Sequence, residues 1–343
     1  MRQTKPSLHS LSRRRAELFG LCTLWILLFH AQLCEVRFAG VFRLLKIGNM
    51  GVDIFLFLSG MGLYFSYSRD GRPGAFFRRR LIRLGVPVAV ICGGYWIYQY
   101  IIGECDGIGL LLRASLLNFW ITGDQQIWFV SFIALAYGLY PLIHRYIYGA
   151  GFRHEQLMRT LVLVSLSVLL MALVRRFAPG YYDKVDLALA RFPAFIVGCW
   201  FGRAVFEKRA LSPGALALAA AAVLVSFAAI VFRESRLSQV PEGLLYLPGA
   251  VGLAVLLAEL FDEWPLTPVN AALRWLGERS LECYLVQIIL IRLYRQGALL
   301  PYRPGSFPRY AAILAATVIL AAAAHWAEAR LIRRLRPDNR SIE

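Results

Sequence analysis

His30 stands inside an uncharged apolar run, Leu18 to Cys34, that is long enough to cross a lipid bilayer. Insertion scales put the cost of a fully charged side chain at membrane depth at about 2.5–3.5 kcal/mol, so a polar ring kept there calls for a task. Imidazole, with an unperturbed pKa of about 6.5, is suited to moving protons near neutral pH. Asp53 lies in the next apolar run. At 1.5 Å of rise per residue, His30 is about 9 Å from the outer end of its helix if that end is Val36, and Asp53 is about 6 Å inside the outer end of the next helix if it starts near Asn49. Similar depth on adjacent antiparallel helices suits a general base and its orienter, because a carboxylate that accepts a ring N–H fixes the tautomer and stabilises the imidazolium. The plainer account has His30 bonding a neighbouring helix and Asp53 capping its own. Ser59, one turn deeper in Phe57-Leu-Ser-Gly60, fits either a substrate contact or ordinary packing of small residues.

A second constellation lies in Phe76-Phe-Arg-Arg-Arg-Leu-Ile-Arg83. On a helix Arg79, Arg80 and Arg83 occupy neighbouring positions, so two or three guanidinium groups can converge on one anion. The same charges would also serve simply to set membrane topology. Further polar groups at depth are Glu282, Tyr284 and Gln287 in one run, and Gln125, Gln126 and Trp128 at the start of another. Trp128 is equally an interfacial anchor, and Glu17 and Glu282 sit near span ends where pairing with arginine is the simpler account.

These residues must be carried by membrane helices. The 343-residue chain is 58% hydrophobic with a mean hydropathy of +0.55, above the roughly 45–50% apolar content of soluble domains. Runs of about 17–25 apolar residues predict ten spans, near 17–36, 50–68, 85–103, 127–148, 160–177, 188–206, 213–232, 243–261, 280–296 and 309–330. The expected fold class is therefore all-α, a polytopic membrane helix bundle. Charged Glu35 and Arg37 follow the first run without a small-residue cleavage site, so it is expected to remain as a span rather than be removed as a signal peptide.

Loops of about ten to twenty residues leave no room for a soluble catalytic domain. The organisation expected is a basic tail over residues 1–16, a transmembrane domain over 17–330 and a second basic tail over 331–343. Leu110 to Trp120 is too short to span and reads as interfacial or re-entrant, and Val269 to Leu276 as a short amphipathic piece after Pro265 and Pro268.

The net charge of +17 follows topology rather than nucleic-acid binding: with the N-terminus inside, 24 of the 38 basic residues fall on inner segments, which predicts both termini in the cytoplasm. Six cysteines show no paired framework and no Cys/His metal spacing, so no structural metal is expected. No internal repeat or matched pair of broken helices marks a carrier.

Taken together, Gly20 to His30, Gly51-Val-Asp-Ile-Phe-Leu-Phe-Leu-Ser-Gly60, Arg80-Leu-Ile-Arg83 with Pro87 after it, Trp128 to Pro141 and Ser280-Leu-Glu-Cys-Tyr-Leu285 resemble the acyltransferase-3 family of integral membrane acyltransferases. The resemblance implies that His30 is the catalytic histidine, Asp53 its frequent partner, and Arg80 and Arg83, with Arg79 beside them, the site of an acyl-CoA donor. Ser59, Trp128, Tyr284 and Gln287 become candidates for the substrate pocket.

It implies acyl-CoA as co-substrate with no permanently bound cofactor and no metal. The acceptor would be a glycan or other hydroxyl compound outside the cytoplasm, and the location a bacterial inner or plasma membrane. The function expected is O-acylation, acetylation above all, of a cell-envelope polysaccharide, with no nucleic acid as partner. Three positions depart from the pattern: Phe19 where the family often has arginine eleven residues before the histidine, Ile133 where it usually has glutamate, and Gln287 where it commonly has histidine. The competing reading is a proton-coupled transporter or flippase for a lipid-linked sugar or small anion, with His30 and Asp53 relaying protons.

Overall fold

Each apolar run is helical in the computed structural model, which describes residues 6–37, 45, 47–70, 73–149, 151–232, 237, 239–264 and 267–335. The fold is all-α, with no β-strand among the described residues. A helix satisfies its own backbone polar groups, the condition that hydrocarbon imposes on anything crossing it.

In chain order the helices are α1 (His9–Arg13), α2 (Arg15–Phe29), α3 (Met50–Asp70), α4 (Pro73–Ile101), α5 (Gly107–Ala114), α6 (Asn118–Thr122), α7 (Trp128–Tyr148) and α8 (Arg153–Phe177). They continue as α9 (Pro179–Leu189), α10 (Phe192–Phe206), α11 (Pro213–Val231), α12 (Glu242–Glu263), α13 (Thr267–Glu278), α14 (Ser280–Arg295) and α15 (Phe307–Leu335). The interfacial segment expected at 110–120 is the pair α5 and α6, with Asp106 capping α5 by accepting from the Gly109 N–H at 2.7 Å. The amphipathic piece expected at 269–276 is α13.

Nine helical stretches among the described residues have the length and hydropathy to cross a membrane. The tenth expected span, 280–296, is the 16-residue α14, about 24 Å long and shorter than the hydrocarbon core. It buries Glu282 and Gln287 and is an interior helix rather than one built for lipid. By contrast, only 11% of the most apolar stretch of α8, and of α11, is buried, which leaves Leu166, Leu170, Leu218 and Leu224 bare. An apolar surface of that extent is stable against lipid, not water. The chain is a multi-pass membrane protein.

The chain divides into two compact units. Unit 1 comprises Met1–Ile26, Ile47–Phe76 and Leu135–Glu278, and unit 2 comprises Leu27–Lys46, Phe77–Ala134 and Arg279–Glu343.

In unit 1, α3 packs on α10 so closely that a Cβ at Gly60 would strike the Phe195 carbonyl, and one at Gly198 the Phe57 backbone. Small residues permit this approach, and Phe57 then meets Phe201 edge to face at 5.1 Å between ring centroids. Residues 6–16, expected as a basic tail, are part of this unit: Leu11 is buried, Leu8 N–H donates to the Arg209 carbonyl and Arg14 Nε pairs with Asp262 at 2.7 Å. Glu17 pairs with Arg14 at 3.3 Å and Arg274 at 2.6 Å, the arginine pairing that its place at a helix start suggested.

Unit 2 centres on Ala31, Cys34, Ile291, Tyr294, Tyr310 and Ile313, where α14, α15 and the turn after α2 meet. Residues 1–5 and 336–343 of the expected tails, and residues 265 and 266 before the amphipathic piece, lie outside the described residues.

Candidate functional site

His30 is placed by a change of helix type. The α-geometry of α2 stops at Phe29 and the chain tightens into a 3-10 turn, His30–Cys34, where the sequence predicted a continuous helix to residue 36. The turn ends at Glu35, whose φ of 60° is left-handed, and Gly305 N–H donates to the Cys34 carbonyl to hold it. The ring of His30 is thus half-buried at the junction, in unit 2.

Its Nδ1 lies 2.7 Å from Oε1 of Gln287, a fully buried residue on α14. The Gln287 amide is itself locked, since Nε2 donates to the Leu27 carbonyl at 3.1 Å and to the Tyr310 hydroxyl at 3.0 Å, and that hydroxyl donates to the same carbonyl. Flipping the amide would set its oxygen against the Leu27 carbonyl, acceptor against acceptor. Oε1 therefore faces the ring, Nδ1 must carry the hydrogen, and Nε2 of the neutral imidazole keeps its lone pair. That is the tautomer a general base needs. The hydrogen-bond partner at Nδ1 is thus Gln287.

Also in unit 2, α4 begins twelve residues before the predicted span and carries the arginines in its first turns. Arg79 and Arg80 are half-buried, and Arg78 and Arg83 are exposed. Pro87 lies inside the same helix, and the bond its missing N–H cannot make is the one to the Arg83 carbonyl. Trp128 opens α7 with its ring 6.5 Å from Phe119, and Tyr284 donates to the Gln126 carbonyl at 3.3 Å while its ring meets Phe129 at 5.9 Å.

Around them runs a polar belt that sequence reasoning did not anticipate. Arg292 reaches Gln126 Oε1 at 3.2 Å and Asp124 at 3.7 Å, Arg113 pairs with Asp124 at 3.8 Å and also bonds Gln99, and Glu104 accepts from Gln99 at 3.0 Å and Gln296 at 2.9 Å. These bonds tie the end of α4, α5 and the turn before α7 to the end of α14.

In unit 1, Asp53 is fully buried on α3, and its carboxylate lies 3.5 Å from Nε of Arg191, which is 2% exposed. Arg191 also donates to the Leu187 carbonyl at 3.1 Å. It falls within the predicted 188–206 span, and a guanidinium at that depth signals a buried carboxylate partner.

Beside Arg191 opens a cavity of about 220 Å³ lined by polar groups that include Arg175, Tyr182, Asp186, Gln239 and Glu242. Arg175 fixes one wall through the Gln239 carbonyl at 2.6 Å and its side-chain oxygen at 2.5 Å. Donors and acceptors of both charges in so small a space suit a hydroxyl-rich ligand. Ser59 is buried on α3 beside Gly60, at the close crossing with α10.

A family model described as an acyltransferase domain matches residues 20–326, nearly the whole chain. The chain belongs to this acyltransferase-3 family. No curated protein and no solved structure matches it.

In this acyltransferase the three departures each have a structural occupant. Phe19 stacks on Phe55 at 4.7 Å, and the Arg15 guanidinium, one turn earlier, lies 4.9 Å over the Phe19 ring. Ile133 is buried. Gln287, in place of the common histidine, is the residue that sets the tautomer of His30.

Proposed function

We propose that the protein is an O-acyltransferase that takes an acyl group, acetyl in the first instance, from cytoplasmic acyl-CoA to a hydroxyl of an extracytoplasmic acceptor, a cell-surface glycan. The observation that carries this reading is the locked Gln287 amide, which leaves His30 Nε2 as an available base. Nε2 removes the proton of the acceptor hydroxyl, the oxygen attacks the thioester carbonyl, the carbon–sulfur bond breaks, and the imidazolium returns the proton to the departing CoA thiolate. General-base action of this kind contributes about 10²–10⁴ in rate. A proton relay for transport has no need of one fixed tautomer, since a relay nitrogen must both take and give.

Arg79, Arg80 and Arg83 supply the donor site: two or three guanidinium groups on one face of α4 suit the phosphates of CoA through charge-assisted, bidentate bonds. Purified protein assayed with radiolabelled acetyl-CoA for CoA release and a labelled acceptor tests the reading. In the Arg80→Ala/Arg83→Ala variant the KM for acetyl-CoA rises at least about tenfold, at about 1.5–3 kcal/mol per charged hydrogen bond, with kcat little changed. Proton-coupled uptake into liposomes without acyl transfer would establish the carrier instead.

Gln287 separates positioning from chemistry. Gln287→Leu frees the His30 ring and lowers kcat about 100-fold, the scale of a misplaced reacting group, without changing the donor KM. Gln287→Glu keeps an acceptor at Nδ1 but sets a second oxygen against the Leu27 carbonyl, so it regains only part of the rate. Steady-state CoA release over acetyl-CoA concentration measures both.

A further inference from the structure

Glu282 on α14 and His325 and Glu328 on α15 meet within unit 2, apart from the groups discussed above. His325 Nδ1 lies 2.6 Å from Glu282 Oε1, and one donor atom from each of the three residues lies within 4.8 Å of the others. The two carboxylates are 5% and 3% exposed, and Glu328 Oε1 is buried with no hydrogen-bond partner. Two carboxylates side by side out of water repel each other, and an acceptor left without a donor there costs about 1–3 kcal/mol or more. A cation answers both. His325 and Glu328 are three apart and share one face of α15, with Glu282 opposite them, and His325 is 36% exposed, so the cluster reaches the surface of the protein.

We infer that Glu282, His325 and Glu328 form a binding site for one divalent transition-metal ion. One imidazole and two carboxylates match Zn²⁺ or Mn²⁺ better than Mg²⁺ or Ca²⁺, which take oxygen ligands throughout. Three protein ligands leave one or more positions for water. The ion clamps α14 to α15, and those are the helices that carry Gln287 and Tyr310, so it stiffens the support of His30 rather than taking part in acyl transfer. No local motif announces the site, because its ligands are a histidine and a glutamate one turn apart and a second glutamate 43 residues away. A proton shared between the Glu282 and Glu328 carboxyl groups is the competing account.

The test uses the full chain in detergent, stripped with chelator and dialysed against Zn²⁺ or Mn²⁺ separately. Mass spectrometry of the washed protein is expected to find about one ion per chain in the wild type and under a tenth in His325→Asn and in Glu328→Gln. Melting of the wild type should rise by roughly 5 °C on metal addition and not at all in the variants. Should the variants fail to fold, pulsed EPR of the Mn²⁺-loaded wild type decides, by the coupling of one histidine nitrogen to the metal. Substoichiometric metal in the wild type, equal metal in the variants, or Mn²⁺ without nitrogen coupling overturns the site.

Discussion

His30→Gln loses acyl transfer by about 10²–10⁴-fold in kcat, the range general-base catalysis supplies, which is about 3–5.5 kcal/mol of barrier. Glutamine is the informative replacement because its amide can still donate to Gln287 Oε1 and fill most of the space of the ring, so the network through Leu27 and Tyr310 survives. Melting temperature and the KM for acetyl-CoA are expected to stay near wild type, which assigns the loss to the missing lone pair. The pH dependence gives a second readout: a rate that rises with pH as the imidazole loses its proton becomes flat in the variant. Wild-type turnover in His30→Gln would remove the residue from the mechanism.

The sequence made the helices legible because lipid allows a span few alternatives to a long apolar helix, and His30 stood out because it is polar where apolar residues are required. What it could not show is which side chain meets which across helices. Gln287 is 257 positions from His30, and nothing in the local pattern of α14 says that its amide turns toward α2. Asp53 suits a histidine at similar depth, but its carboxylate lies against a buried guanidinium, Arg191, which no local pattern connects to it.

Residues 6–16 read as part of a basic tail because of their arginines. They fold into unit 1 because Asp262 and Glu17 neutralise Arg13 and Arg14, leaving Leu11 free to be buried. The helix at 280–296 is shorter than the run suggested, and its polar residues Glu282 and Gln287 are buried against other helices rather than facing lipid.

The pair of Asp53 and Arg191 predicts the largest effects on stability, and their pattern separates structure from chemistry. Removing either partner leaves the other buried without its counter-charge at 3.5 Å, so Asp53→Leu and Arg191→Met should each cost about 3–5 kcal/mol, read as a lower unfolding midpoint in detergent. Combining them removes both charges and replaces them with side chains of similar reach, and the double variant should return to within about 1 kcal/mol of wild type or exceed it. A purely structural pair would then recover activity along with stability. We propose that Asp53, as the family resemblance implies, also serves the reaction, and so expect the double variant to fold like the wild type and to stay at least about 100-fold down in acyl transfer, with Arg191 lining the polar cavity of unit 1. Recovery of activity in the double variant would reduce Asp53 to a counter-ion and leave His30 and Gln287 as the whole of the proton machinery.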